Sequence, residues 1–219
     1  MKHKNLMLFG MSLFCMEFAT IQAQTVKDND GNVYKTVTIG TQVWMAENLK
    51  TTKYNDGTAI PLVTEDKAWD ALTTPAYCWY KNDATVNKNT YGALYNWYTV
   101  GTNKLCPKGW HVPTDAEWTT LTTYLGGESV AGGKLKETGT THWESPNTGA
   151  TNESGFKALS GGDREFGVFS YIGYSGYWWS ATEINATEAR YRSMNYHNGN
   201  VKRNSIFKKI GYSVRCLRD

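Results

Sequence analysis

Cys106-Pro-Lys-Gly-Trp-His-Val-Pro-Thr-Asp-Ala-Glu-Trp118 is the stretch on which the fold turns, together with its continuation to Gly127. Thr114 is placed to act as N-cap, because its hydroxyl can accept from a free amide of the first helical turn. Glu117, three residues on, can reach back to the amide of Thr114, which makes a capping box. Trp118, Leu121 and Leu125 recur at helical spacing and define one apolar face. Gly126-Gly127 ends the pattern, since glycine accepts the left-handed conformation of a helix terminus. Pro113 keeps the incoming chain extended. The segment therefore reads as a strand or turn leading into a helix of about three turns.

Around this helix the chain reads as β-rich. Upstream, Asp28-Asn29-Asp30-Gly31-Asn32 is turn chemistry and precedes the alternating run Val33 to Ile39. A second turn at Gly40-Thr41-Gln42 leads to Val43-Trp44-Met45, so residues 26 to 50 read as a hairpin. The DxDxN pattern there fails as a calcium loop: its glycine comes two places too early, and the position of the bidentate glutamate holds Ile39. Trp69 and the polar run 81 to 90 read as surface segments. Ala76 to Tyr80 reads as a short aromatic strand. Tyr91, Leu94, Tyr95 and Tyr98 follow helical spacing and predict a short amphipathic helix.

Downstream, residues 129 to 136 suggest another short helical piece. Residues 138 to 165, rich in Gly, Thr, Asn and Ser, read as a long ordered loop anchored by Trp143 and Phe156. Short strands are predicted at 167–169, 176–182 and 189–194. A turn follows over 195–200, and Tyr212 to Arg218 closes the chain. Without βαβ alternation, the fold class is α+β.

The sequence has 219 residues, nine Trp, fourteen Tyr and 21 Gly, a composition that favours many short strands over a helical bundle. Its formal charge of +3 supports no nucleic-acid partner. Residues 1–23 read as a signal peptide: Lys2 and Lys4 precede an apolar run from Leu6 to Met16, and Ile21-Gln22-Ala23 offers a cleavage site. Cys15 follows Phe14, which disfavours a lipoprotein signal. No later segment is apolar enough to insert in a membrane. The expected location is exported: periplasmic, cell-surface or extracellular. Three cysteines then remain, Cys78, Cys106 and Cys216, in a compartment that favours pairing but leaves one over.

No catalytic set emerges. Gly173-Tyr-Ser-Gly-Tyr177 misses the nucleophile elbow at its fifth position. Cys106 with His111, His142 or His197 could form a thiol pair, but an oxidised cysteine is no nucleophile. The histidines are isolated, so no metal site is expected and no cofactor is implied. Asp163 with Glu165, and Glu183 with Glu188, read as solvated surface acids. A carbohydrate- or protein-binding surface has a coherent basis in flat aromatic faces beside hydrogen-bonding side chains. Its candidates are Trp143, Tyr171, Tyr174, Tyr196, Asn198, Asn200 and Arg203, on the loops of 138–175 and 183–211.

Six motifs in order carry a family resemblance: Thr38-Ile-Gly-Thr-Gln-Val-Trp-Met-Ala-Glu-Asn-Leu-Lys50, Tyr91-Gly-Ala-Leu-Tyr-Asn-Trp97, the opening Cys106 to Trp118 segment, Ala150-Thr-Asn-Glu-Ser-Gly-Phe156, Gly176-Tyr-Trp-Trp-Ser-Ala-Thr-Glu183 and Ser213-Val-Arg-Cys216. The chain resembles the Fibrobacter succinogenes major paralogous domain family, exported bacterial proteins of largely undefined molecular function. It also looks like a branch of the C-type-lectin-like fold. Pro113 to Trp118 is similar to a segment of formylglycine-generating enzymes. The resemblance implies twisted antiparallel short-stranded sheets, two or three helices and long ordered loops. It further implies one domain over 24–219, with a hairpin region at 26–60 and a lectin-like core from about 75 to 219. A Cys106–Cys216 disulfide is implied too, with Cys78 pairing as the alternative. The late cysteine pair of the enzyme branch is missing, and so are the calcium motifs of the lectins. The expectation is an exported, non-enzymatic binding or adhesion module for a glycan or surface protein. The alternatives are an enzyme of the formylglycine-generating type and a structural component of the cell envelope.

Overall fold

The computed structural model describes residues 24–219, so the expected signal peptide lies outside the described residues. The chain opens with β1 (Thr25–Lys27), β2 (Val33–Ile39) and β3 (Gln42–Met45), then a one-turn helix α1 (Asp66–Asp70). Next come β4 (Tyr77–Cys78), a 3₁₀ turn at Tyr80–Asn82, α2 (Ala84–Tyr91), β5 (Leu94–Tyr95) and α3 (Trp97–Val100). The opening stretch supplies β6 (Trp110–His111) and α4 (Asp115–Tyr124), followed by α5 (Glu128–Leu135). The rest is strand and loop: β7 (Gly161–Glu165), β8 (Val168–Ile172), β9 (Ser175–Glu183), β10 (Glu188–Asn195), β11 (Lys202–Phe207) and β12 (Leu217–Arg218).

These strands form two five-stranded sheets, ordered β1-β2-β3-β12-β6 and β11-β10-β9-β7-β8, and a two-stranded β4-β5 pair. The result is a mixed α/β architecture of curled, mainly antiparallel sheets. One contact departs from that pattern: β7 and β9 meet in parallel at Gly162 and Gly176. The described residues hold five short helices, more than the two or three expected.

The opening stretch ties the two sheets together. β6 pairs with β12 through His111 and Leu217, and Cys106 is bridged to Cys216. Thr114 and Glu117 form the capping box reciprocally, with the Thr114 amide 2.7 Å from a Glu117 carboxylate oxygen. Trp118 and Leu121 then project into a fully buried cluster with Trp44, Phe156 and Trp178. The Trp44 and Trp118 rings lie 4.9 Å apart, a tilted aromatic contact. Burial of side chains this large contributes on the order of 2–3 kcal/mol each.

Four local expectations are corrected. The Tyr91–Tyr98 helix does not form: α2 ends at Tyr91, Leu94 and Tyr95 are strand, and α3 restarts at Trp97. Gly92 breaks the helix at φ +76°, packed so closely that a Cβ there would come 2.6 Å from the Leu49 carbonyl oxygen. Trp69 is not a surface residue; it is fully buried, with the Arg164 guanidinium stacked over its ring at 4.7 Å. The 183–211 region holds, besides the strand expected at 189–194, an unexpected antiparallel partner, β11. Asp163 is not a solvated surface acid, since only 2% of it is exposed.

The Asp28 turn is committed to itself. One Asp28 carboxylate oxygen accepts from the amides of Asp30 and Asn32, and the other accepts from the Tyr34 hydroxyl at 2.6 Å. Asp30 is taken up by the hydroxyls of Thr51 and Thr52.

Candidate functional site

The second sheet has two unlike faces because side chains alternate along a strand. One set, with Trp178, Arg192 and Met194, is buried toward α4 and α5. Arg192 there donates to Glu128 at 2.8 Å and to the Thr119 hydroxyl at 2.9 Å. The other set carries Ser175, Tyr177, Tyr191, Ser193 and Asn195; on it Tyr177, Tyr191 and Asn195 keep access to solvent. Tyr212 joins this face because residues 211–213 wedge between β7 and β9, bridging Arg164 to Gly211 and Trp178 to Ser213.

The result is a run of tyrosine rings. Tyr177 stacks on Tyr212 at 4.9 Å with an 8° interplanar angle, and Tyr191 lies 5.0 Å from Tyr212. Tyr171 continues the run, 6.3 Å from Tyr177. At the lip, Tyr174 and Tyr196 meet edge to face at 5.4 Å. Two hollows open along this surface and share Asn195. The larger, about 630 Å³, is lined by Tyr80, Ser170, Tyr171, Tyr174, Tyr196 and His197. The smaller, about 170 Å³, is lined by Ser175, Tyr177, Tyr191, Asn198, Asn200 and Asn204. Together they form a trough of aromatic faces interleaved with amides and hydroxyls.

Its rim is held by a buried cation. The Lys136 ammonium donates to the carbonyls of Thr148, Asn195 and Asn198 at 3.0, 2.9 and 2.9 Å. It also lies 5.3 Å from the centroid of the Trp143 ring. Burial lowers its pKa to about 8. Beside it α5 contributes Gly132 and Gly133; a Cβ on Gly132 would fall 2.3 Å from the Asn200 carbonyl oxygen. Glycine at this point is what lets the 195–200 turn lie against the helix.

Asp163 sits on the same side of β7 as Tyr177 of β9, one residue beyond the Gly162–Gly176 contact. Its Oδ1 is buried without a hydrogen-bond partner. Burial raises its pKa to about 7, the neighbouring Glu165 charge adds to the rise, and the Ser170 amide opposes it. Burial also pushes the Tyr177 hydroxyl up to about 12, against a hydrogen bond with Ser175. Tyr191 and Tyr212 are raised chiefly by burial as well.

Of the residues singled out from sequence, Tyr171, Tyr174, Tyr196, Asn198 and Asn200 come together along the trough. Trp143 does not. It is 1% exposed, donates its indole N–H to the Ala158 carbonyl at 2.9 Å and offers no face to a ligand. Arg203 points elsewhere too: its Nε and Nη2 grip Asp115 at 2.9 and 2.6 Å, tying β11 to α4. Sequence reading missed Tyr177, Tyr191, Ser193, Asn195, Asn204 and Asp163. The signal was available in Ser175/Tyr177 and Tyr191/Ser193/Asn195, which recur with the period of two that marks one face of a strand.

The sulfur chemistry is confined. Cys106 and Cys216 are joined, and the Cys78 thiol is buried and pushed up to about 12 by desolvation. Thiol nucleophiles need the opposite environment. Among the described residues no group of three or more His, Cys, Asp or Glu side chains is placed to hold a metal. None of the described helices is long and apolar enough to cross a membrane.

Residues 37–218 match the family described as the Fibrobacter succinogenes major domain. The chain belongs to this family. No curated protein and no solved structure matches it. The span of the Fibrobacter succinogenes major domain takes in the helix at its centre, the disulfide and every strand of the trough.

Proposed function

We propose that this Fibrobacter succinogenes major domain is an exported, non-enzymatic binding or adhesion module on a C-type-lectin-like scaffold, and that the tyrosine–asparagine trough is its ligand surface. The observation that carries the reading is the trough itself. Tyr171, Tyr174, Tyr177, Tyr191 and Tyr196 line two adjoining hollows whose polar groups are amides and hydroxyls, with Lys81, His197 and Lys202 at the edges. Aromatic faces with a few convergent polar groups are the usual design of a small-ligand or side-chain pocket. The scaffold reading is supported by the helix and last strand being joined through Cys106 and Cys216. A disulfide is compatible with export to an oxidising compartment. The ligand is a glycan or a surface protein.

An array of glycans and bacterial surface proteins, probed with the purified protein, tests this. Binding is expected, with at least a tenfold loss on combining Tyr171→Ala, Tyr174→Ala and Tyr196→Ala, three partly or fully exposed rings whose removal leaves the core intact. Wild-type protein that binds no array member, or a triple variant that binds unchanged, would overturn the reading.

A further inference from the structure

The trough is one-sided in charge. No Asp or Glu lines either hollow, whereas Lys81 and His197 border the larger and Lys202 the smaller. The chain as a whole carries 23 Lys and Arg against 20 Asp and Glu, so composition alone does not supply an acid-free surface. The hollow beside Phe166 shows the ordinary case: its Lys209 ammonium is met by Asp70 at 2.6 Å. Among the described residues neither Lys81 nor Lys202 has such a partner. Two acids come close without entering. Glu144 donates its amide to the Gly173 carbonyl, and Asp163 is buried opposite Ser170; neither lines a hollow. The backbone is uncommon here as well. Lys81 at φ +51° and Tyr171 at φ +62°, both lining the larger hollow, occupy the left-handed region. Bulky residues rarely do so, and those that do cluster at ligand sites.

We propose that the trough binds a carboxylate-bearing glycan, with a uronic-acid ring in the larger hollow and its carboxylate meeting the basic groups, Lys81 and His197, at the edge. The proposal rests on the binding reading above and names the ligand class. Three features select it. The Lys81 ammonium and the His197 ring are donors with no acid in the same hollow, and a carboxylate brings the acceptors. The half-exposed rings of Tyr171 and Tyr174 offer flat faces to the apolar side of a sugar, while the Ser170 and Tyr196 hydroxyls lie in the same hollow to bond its own. An acidic peptide would suit the charge but not the edge: Tyr171 interrupts β8, the last strand of its sheet, with a left-handed residue where an added peptide strand needs extended backbone. A further uronate along the glycan would reach Lys202 at the smaller hollow. An exposed ion pair changes an affinity by up to about fivefold. The rings therefore carry most of the binding, and the basic groups carry the choice of an acidic sugar over a neutral one.

The test measures binding of the purified protein to short homo-oligomers of galacturonate, glucuronate, mannuronate and guluronate, each beside its methyl-esterified form, with hexaglutamate as the peptide control. At least one acidic oligomer is expected to bind at least fivefold more tightly than its ester, by a margin that shrinks as salt rises. Lys81→Gln combined with His197→Gln should bring that oligomer to within about twofold of its ester and leave ester binding unchanged. Both side chains are exposed, so the double variant is expected to fold. If no acidic oligomer exceeds its ester, or if the double variant keeps the full margin, the proposal is overturned. Hexaglutamate binding more tightly than every oligomer overturns it too. Array binding of a neutral glycan, with no preference for acid over ester, overturns the acidic-glycan inference and leaves the binding reading standing. No binding on the array or to any oligomer removes both.

Discussion

Asp163 shows how far a single residue departs from what its neighbours in sequence announce. Gly-Gly-Asp-Arg-Glu reads as the end of the long loop over 138–165, yet it is a strand whose burial pattern is nearly continuous. Nothing local marks the aspartate as buried, because the strands paired with β7, namely β8 and β9, come later in the chain. Its raised pKa has a direct consequence for stability. Below the unfolded carboxyl value the folded state bears no penalty. As pH rises from about 4 to about 7 the unfolded chain releases the proton first, so the contribution is lost progressively through the folded pKa of about 7. Asp163→Asn should therefore flatten the fall in stability over that range, by at most about 4 kcal/mol between the two values. Urea titrations of both proteins at pH 4 and pH 8 measure it; parallel losses in the two would refute the assignment. His111 gives a second pH signature. Burial works against its charge, but its bonds to Asp219 at 2.6 Å and Glu117 at 2.9 Å outweigh that and raise its pKa. A raised histidine stabilises fully below its unfolded value near 6.5 and loses that contribution as pH rises through the folded value. The melting-temperature advantage of wild type over His111→Gln should accordingly be larger at pH 6 than at pH 9.

At the scale of elements, the sequence was most legible where a cap, a period and a stop agreed. Thr114, Glu117, the Trp118–Leu121–Leu125 face and Gly126-Gly127 all point to one helix, and α4 has that capping box, burial and end. The Tyr91–Tyr98 segment had the period without the caps. Gly92 inside it answers to the Leu49 backbone, a contact no local pattern encodes. The same limit hid β11, the partner of the strand legible at 189–194: it is mostly exposed and lacks an apolar alternation. Gly132 and Gly133 would count against a helix by propensity alone. Their use lies in close backbone approach, of 199–200 to Gly132 at the rim of the trough and of Gly149 to Gly133. Gly132→Ala, normally a helix-favouring change worth up to about 1 kcal/mol, should here destabilise the protein, because the added methyl meets a backbone carbonyl. Thermal denaturation with amide exchange at 198–200 reads the outcome; increased stability with unchanged exchange would show the contact to be slack.

For the whole molecule, the trough was out of reach of sequence reading for a topological reason. Its walls come from the turn at 80–81, β8, β9, β10, the 195–200 turn and β11, and only closure of the chain brings them together. Five of the seven residues chosen for aromatic or amide character lie along it, which reflects the strand-and-turn register of 171–200. Trp143 and Arg203 were lost because side-chain chemistry says nothing of whether a ring is covered or a guanidinium already gripped. Closure depends on the Cys106–Cys216 bridge, which joins the head of the opening stretch to the strand that completes the first sheet. It spans a sequence separation of 110 residues. Chain-entropy reasoning gives such a loop about 5 kcal/mol, as an upper figure. Cys106→Ser with Cys216→Ser should therefore lower the unfolding free energy by several kcal/mol, leaving two buried hydroxyls as a further small cost. Cys78→Ser, in contrast, removes no cross-link. Its loss should be confined to the burial of one hydroxyl beside Tyr80 and Leu94, about 1–3 kcal/mol. Guanidinium unfolding of the three proteins, with and without reductant, separates these effects. Reductant should bring wild type down to the double serine variant and leave that variant unmoved, whereas a Cys78→Ser protein as unstable as the double variant would mean that the core, and not the bridge, holds the two sheets around the trough.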